Sequence, residues 1–329
     1  MKAFEYAGPT SVAEAVSLLG GADSAALSGG TDLISRMKDY VTSPARIVNL
    51  KEVKGLGGIT GDAKSSGLTI GAGTTLAQVV AHTGLKAAYP ALWQATVEVG
   101  TPQIKNMATV GGNLLQRPRC WYYRSGNGLL AMKDGKSLVR AGDNRYHSIF
   151  MTDGNALYVS PSSMAVPLVA LGAKATIVGP QGERTVAIEE LYQVPKKEGD
   201  RELTVAPGEI LTKVTIPAAK GKNASYEARQ KQAHDWPMVL ASVSFGYDNN
   251  RVTSPKVVLY GVAPIPWRSS PAEKAIADKA ISLETASAAG QAAVEGAKPL
   301  SMNGYKVTLT KTVVKRALLS AVGNRYWEA

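Results

Sequence analysis

Residues 4–6 form a short strand-like segment of alternating character, and a Gly8-Pro9-Thr10 turn follows them. Ser11 and Glu14 have the spacing of a capping box, so a helix is predicted from there to Leu19, closed by Gly20-Gly21. A short apolar strand over 24–28 ends at Gly29-Gly30, a helix begins near Asp32, and 46–50 is the next strand. The first fifty residues therefore predict a β-α-β-α-β unit.

A second unit starts after Lys54-Gly55-Leu56-Gly57-Gly58. Residues 68–73 are a strand running into a turn, Thr75 and Gln78 a second capping box for a helix toward His82, and 90–99 another helix. The stretch 104–115 is Gly-rich and reads as irregular, and 117–150 is long, polar and aromatic with little periodicity. A loop of that length is usually functional. A helix over 163–171 and strands over 173–178 and 211–216 follow, the last stopped by Pro217.

Gly221-Lys222-Asn223 reads as a linker. Beyond it, strands over 239–247 and 256–262 and helices over 272–280, 285–297 and 310–322 make a third, α+β unit. Asn223-Ala224-Ser225 matches a glycosylation sequon, with no sign of secretion to go with it.

At 329 residues the chain exceeds the usual reach of one core, which agrees with several units. Hydrophobic residues at 45% and charged residues at 19% exclude a disordered chain. Cys120 is the only cysteine, which excludes an internal disulfide framework. His82, His147 and His234 form no ligand pair at zinc spacing, so a zinc site is not expected. The net charge of +11 is scattered rather than gathered into a run, so nucleic-acid binding is not expected and a solvated basic surface or an acidic partner is. There is no membrane-length apolar run and no signal-peptide pattern at the N-terminus, so the expected location is cytoplasmic, or periplasmic by export with a partner.

Two segments could carry chemistry. In Leu27-Ser28-Gly29-Gly30-Thr31-Asp32-Leu33 a strand meets a helix through two glycines, where backbone can approach an anion and amides at the helix start are free to donate. It is neither a Walker loop nor a GxGxxG loop, and a plain structural turn remains an equal reading. In Thr101 to Leu114, Thr109, Gly111-Gly112 and Asn113 suit a phosphorylated or polyhydroxylated ligand, the alternative being a capped tight bulge.

Taken together, Ser28-Gly29-Gly30-Thr31-Asp32-Leu33 and Ala108-Thr109-Val110-Gly111-Gly112-Asn113-Leu114 resemble the FAD-binding subunit of the molybdenum hydroxylases, the family of xanthine dehydrogenase, carbon monoxide dehydrogenase and aldehyde oxidoreductase. Further segments fit in the same order: Ile70-Gly71-Ala72-Gly73-Thr74-Thr75, Pro161-Ser162-Ser163-Met164-Ala165, Pro207-Gly208-Glu209-Ile210-Leu211 and Asp235-Trp236.

The resemblance implies an α+β chain: a two-subdomain FAD-binding fold of the PCMH type over 1–220 (subdomains 1–55 and 56–220), then a C-terminal α+β domain over 221–329. It implies noncovalent FAD, with Ala26, Leu27, Ser28, Gly29, Gly30, Thr31, Asp32 and Leu33 at the pyrophosphate. Val99, Thr109, Val110, Gly111, Gly112 and Asn113 would form the second wall, with Ser163, Leu211 and Lys231 as further contacts. No catalytic side chain and no metal ligand is implied in this chain. The family's molybdenum cofactor and 2Fe–2S clusters would sit on a large molybdopterin-binding subunit and a small iron–sulfur subunit. Electrons would pass through FAD here to an external acceptor. A stand-alone flavoprotein oxidase or reductase on the same fold is the alternative.

Departures accompany the resemblance. Ser163 stands where the family usually has Asp, and Ala228 where a basic residue is often found near Tyr226, with Arg229 and Lys231 close by. Some relatives hold an iron–sulfur cluster near the segment Arg117-Pro118-Arg119-Cys120-Trp121-Tyr122-Tyr123-Arg124, but one thiol cannot supply four thiolates. The arginines around Cys120 would lower its pKa if it were exposed, the alternative being a buried inert thiol.

Overall fold

The computed structural model describes every residue of the chain except Ala22, Gln232 and Ala329. Its first unit is β1 (Glu5–Ala7), α1 (Val12–Leu19), β2 (Ser24–Leu27), α2 (Leu33–Lys38) and β3 (Arg46–Asn49). The Ser11 hydroxyl accepts from the Glu14 amide as its spacing predicts, while the Glu14 carboxylate accepts from the Thr10 amide instead of closing the box on Ser11. β3 lies between β1 and β2, parallel to both, with Ile47 opposite Tyr6 on one side and Ala25 on the other. The apolar face of α1, Ala15, Val16 and Leu19, packs on Val48 and also on Ile210 of the next unit. Burial of each large apolar side chain stabilises by about 1.5–3 kcal/mol, so this contact fixes the first unit against the second.

The second unit is built on an antiparallel sheet in the order β4 (Ile59–Asp62), β5 (Gly67–Gly71), β10 (Ile210–Ile216), β8 (Lys174–Gly179), β9 (Gly182–Ala187). Its central strand is the last in sequence, so the sheet closes only when the chain returns. Between β5 and β8 lie α3 (Leu76–Ala81), α4 (Thr83–Ala88), α5 (Pro90–Val97), α6 (Pro102–Met107) and α7 (Val110–Leu114). The Thr75–Gln78 capping box is complete at the start of α3.

The stretch 104–115 is not irregular: α6 and α7 occupy it. Thr101 caps α6 with Pro102 at its first position, and Thr109 caps α7. Caps rather than periodicity make these helices, which is why a pattern search passes over them. The segment 117–150 holds α8 (Trp121–Arg124), a hairpin of β6 (Met132–Lys133) and β7 (Lys136–Ser137), and α9 (Leu138–Ala141) around a small core of Ala131, Val139 and Leu157. α10 (Ala165–Ala170) follows, buried on every side.

The third sheet is antiparallel, β11 (Lys222–Arg229), β12 (Pro237–Asp248), β13 (Arg251–Tyr260), β14 (Trp267–Arg268). One face packs Val239, Ala241 and Val243 against α11 (Ser270–Ile276), α12 (Leu283–Ala292) and α13 (Tyr305–Ala321). From the other, Leu240, Val258 and Tyr260 enter the main core of the second unit. The expected linker at 221–223 is therefore absent, because Lys222 and Asn223 already belong to β11. Asn223 is buried, its Oδ1 accepting from the Ala91 amide and its Nδ2 donating to the Ala88 carbonyl, so the sequon is a structural tie to α5 and cannot carry a glycan. Among the described residues, no helix is long and apolar enough to cross a membrane.

Candidate functional site: a cleft between two glycine loops

The loop 28–32 leaves the end of β2, and Thr109 heads α7; the two meet. Ser28 Oγ lies 3.0 Å from Thr109 Oγ1. A Cβ on Gly29 would stand 2.0 Å from the Met107 carbonyl oxygen, so only glycine lets the loops close to this distance. Gly30 has φ +73°, a left-handed turn into α2.

Thr109 Oγ1 also accepts from the Gly112 amide, the Val110 amide donates to the Thr74 carbonyl, and the Gly111 amide donates to Ala72. The amides at the start of α7 are thus committed to the fold. The first loop differs: among the described residues, the amides of Gly29, Gly30, Thr31 and Asp32 have no acceptor within the chain. Backbone donors toward an anion come from the first loop, and the second supplies shape.

The cleft beside these loops has a volume of about 430 Å³ and a second cavity of about 390 Å³ continues it, the two sharing Thr31, Gly112 and Gln116. Of the residues singled out in the sequence, Ala26, Ser28, Gly29, Gly30, Thr31, Asp32, Leu33, Thr109, Gly111, Gly112 and Leu211 line the first part. Val99, Asn113 and Ser163 line the second. Three are not brought to the walls of this cleft. Val110 is fully buried in the main core, Leu27 packs with Leu33, Met37 and Ile47, and Lys231 lines a separate third cavity. Asn113 Oδ1 accepts from the hydroxyl of Ser162, the neighbour of Ser163.

Asp32 does not cap α2. Its carboxylate, 12% exposed, accepts from Arg124 at 2.6 Å, Arg36 at 3.1 Å and the Arg117 amide at 3.2 Å, with Arg119 at 3.3 Å. Burial alone would raise its pKa; the surrounding guanidiniums, Arg119 first, outweigh that and hold it below the usual carboxylate value. Arg117 forms a two-bond pair with Glu202. Four guanidiniums thus face two carboxylates here, an excess of two positive charges beside free backbone amides. That combination suits a diphosphate. Sequence reasoning missed these arginines. Arg36 was readable from its four-residue spacing to Asp32, but Arg117, Arg119 and Arg124 lie more than eighty residues away with no local signal.

Of the two readings of Cys120 the buried one holds: burial pushes its thiol up, and the arginines near it are engaged with Asp32, Glu202 and Gln116. The cation over Tyr226 is Arg316 of α13, 5.1 Å from the ring, while Arg229 binds Glu98 and stands 3.2 Å from Glu227. Glu227 lines the second cavity and is pushed up to about 7, because burial outweighs an Arg229 that it shares with Glu98.

A unit with a parallel sheet and one with an antiparallel sheet thus meet at a cleft of about 430 Å³ edged by two glycine loops, with free amides in one of them among the described residues, an arrangement suited to a phosphate-bearing cofactor. The comparisons give the family. The profile described as "FAD binding domain in molybdopterin dehydrogenase" matches residues 2–219, and that of the "CO dehydrogenase flavoprotein C-terminal domain" matches 224–321. The chain belongs to this family of FAD-binding oxidoreductase subunits. It is 29% identical to the aldehyde oxidoreductase FAD-binding subunit of Escherichia coli, covering 98% of this chain and 99% of that one. It is 26% identical to the carbon monoxide dehydrogenase medium chain of Hydrogenophaga pseudoflava, covering 97% and 96%. A solved structure of carbon monoxide dehydrogenase from that organism superposes with a TM-score of 0.75 at 25% identity, covering 98% of both chains.

Proposed function

We propose that this chain is the electron-transfer subunit of a heterotrimeric molybdenum-containing hydroxylase. It would receive electrons from iron–sulfur centres on a small partner subunit and deliver them from its flavin to an external acceptor. The observation that carries the reading is the closed pair of glycine loops at a cationic cleft, with four backbone amides free in one of them.

FAD would supply a carrier that accepts and releases electrons one or two at a time. The residues of the chain bind and orient it. The amides of Gly29 to Asp32, with Arg36 and Arg117 on the wall of the cleft, would hold the pyrophosphate. Gly112 keeps the passage between the two cavities open, and Val99, Asn113 and Ser163 would line the wall beyond it. Domain limits at 1–55, 56–220 and 221–329 belong to this proposal, as do a large molybdopterin-binding partner and a small iron–sulfur partner.

Two measurements test the reading. Denaturation of the purified full chain should release stoichiometric, noncovalent FAD. Native material should copurify with one large and one small subunit. A folded chain without flavin, or a monomer with complete substrate turnover, would refute it.

A further inference from the structure

The second cavity carries an acid among mostly apolar and neutral neighbours. On β11, Tyr226 and Ala228 pack toward the helices of the third unit, and Glu227 between them lines this cavity on the opposite face. The Glu227 side chain is only 10% exposed. Its Oε1 is sealed from solvent and lies 3.2 Å from Arg229 Nε without a hydrogen bond. Its Oε2 is neither sealed nor hydrogen-bonded among the described residues, so this is the oxygen that opens to the cavity.

The charges around Glu227 leave no cation to spare. Arg229, on the same strand, donates to Glu98 at the end of α5. Arg119, on the cavity wall, is held by Asp32 and Gln116. The surplus positive charge of the arginine cluster is matched by a pyrophosphate in the first cavity. Tyr260 of β13 stays a neutral phenol, its pKa raised by burial and then by Glu227. His234 and Asp235 complete the wall, and the Asp235 carboxylate accepts from the Lys231 and Trp236 amides. Burial outweighs the shared Arg229 and pushes Glu227 up to about 7, so its carboxyl exchanges its proton near neutral pH.

Electrons that enter a cavity without a spare cation make it more negative, and that favours protonation of an acid open to it. We propose that Glu227 couples proton uptake to electron uptake here, binding a proton at Oε2 as electrons enter the flavin and releasing it as they leave. The inference rests on the proposed function, in which the flavin passes Gly112 into this cavity. For two electrons delivered by the partner's iron–sulfur centres, the ring takes one proton and Glu227 the other, both from solvent. The charge of the cavity is then unchanged. When the external acceptor takes the electrons, both protons return to solvent and Glu227 is again a carboxylate beside Arg229.

The flavin of the full-length chain is titrated with dithionite and redox mediators at a series of pH values, and the pH slope of its midpoint potential gives the protons bound on reduction. At about pH 7.5 the parent should bind at least about half a proton more than Glu227→Gln, the uptake for a rise of about one unit or more in the Glu227 pKa. Glu227→Asp keeps a carboxyl and should keep the extra proton. His234→Gln, which removes the other titratable side chain with a ring on this wall, should leave the count unchanged. A second measurement needs no variant: the absorbance of the oxidised flavin should step with pH around a midpoint near about 7. A flat absorbance through that range, equal counts in parent and Glu227→Gln, or loss of the proton in His234→Gln instead would overturn the inference. A colourless chain would sink the flavin reading and this one with it, whereas a flavin-loaded chain with equal counts would sink this one alone.

Discussion

The Ser28 hydroxyl lies 3.0 Å from the Thr109 hydroxyl, across a sequence separation of 81 residues. This contact joins the loop that offers free amides to the loop that shapes the cleft. Thr109 is the more consequential partner, since the same oxygen caps α7 through the Gly112 amide. Thr109→Val should cost about 1 kcal/mol as a lost cap, and Ser28→Ala less. The double variant should show a coupling of about 0.5–1.5 kcal/mol in denaturant titrations. Strict additivity would mean that the two hydroxyls do not interact.

Gly112→Ala separates ligand contact from backbone strain. Gly112 has no left-handed φ, and its added methyl would meet only Thr109 Oγ1, at 3.1 Å, on a residue that lines both cavities. FAD affinity should fall by about tenfold, an energy of about 1.4 kcal/mol, while the thermal midpoint stays near that of the parent. Gly30→Val is less clean, because φ +73° strains any side chain and its Cβ would press on Ile34 and Leu27. Unaltered flavin content in Gly112→Ala would move the cofactor elsewhere.

Asp32→Asn removes the common partner of Arg36, Arg119 and Arg124. Stranding partly buried guanidiniums should destabilise by about 3–5 kcal/mol. The folded pKa of Asp32 is lowered, so its stabilisation is complete above the ordinary carboxylate value near about 4 and is lost as pH falls through the folded value. Thermal midpoints of parent and variant should therefore converge in acid. A constant gap down to the lowest pH at which both fold would exclude the charge as the cause.

Glu227 gives the opposite dependence. Its folded pKa, about 7, is raised above the unfolded value, so the folded state binds the extra proton and stability falls as pH rises between about 4.5 and 7. Glu227→Gln should match the parent below that window and exceed it above, by about 1–3 kcal/mol at pH 8. Equal pH profiles for the two proteins would show that Arg229 neutralises the carboxylate after all.

Local signals carried much of the architecture. Ser11, Thr75 and the glycine pairs mark helix starts and stops through interactions within four residues, so the elements of 1–50 and, apart from α4, those of 68–99 are legible from the chain alone. The two glycine loops were legible as places of close backbone approach for the same reason: glycine next to a helix start is a local statement about backbone space. The strands β4 and β9 were not, because their sides face solvent and carry little alternation. The start of β11 was read as a linker because Gly221-Lys222-Asn223 has turn composition, and only the tertiary structure gives Asn223 its partners on α5.

What sequence alone determined is the locally capped helices, the apolar strands and the presence of two glycine-rich loops. Tertiary structure alone decided how they are used. It placed Gly29 against Met107, took the α7 amides away from any ligand by bonding them to 72–74, and brought Arg117, Arg119 and Arg124 to Asp32 from a segment without periodicity. It also set Lys231 in a different cavity from the loops that the resemblance had grouped it with. The physical reason is range. Caps, turns and propensities act over a few residues and are written where they act, whereas burial, ion pairing and the availability of a donor depend on what the chain brings alongside from far away.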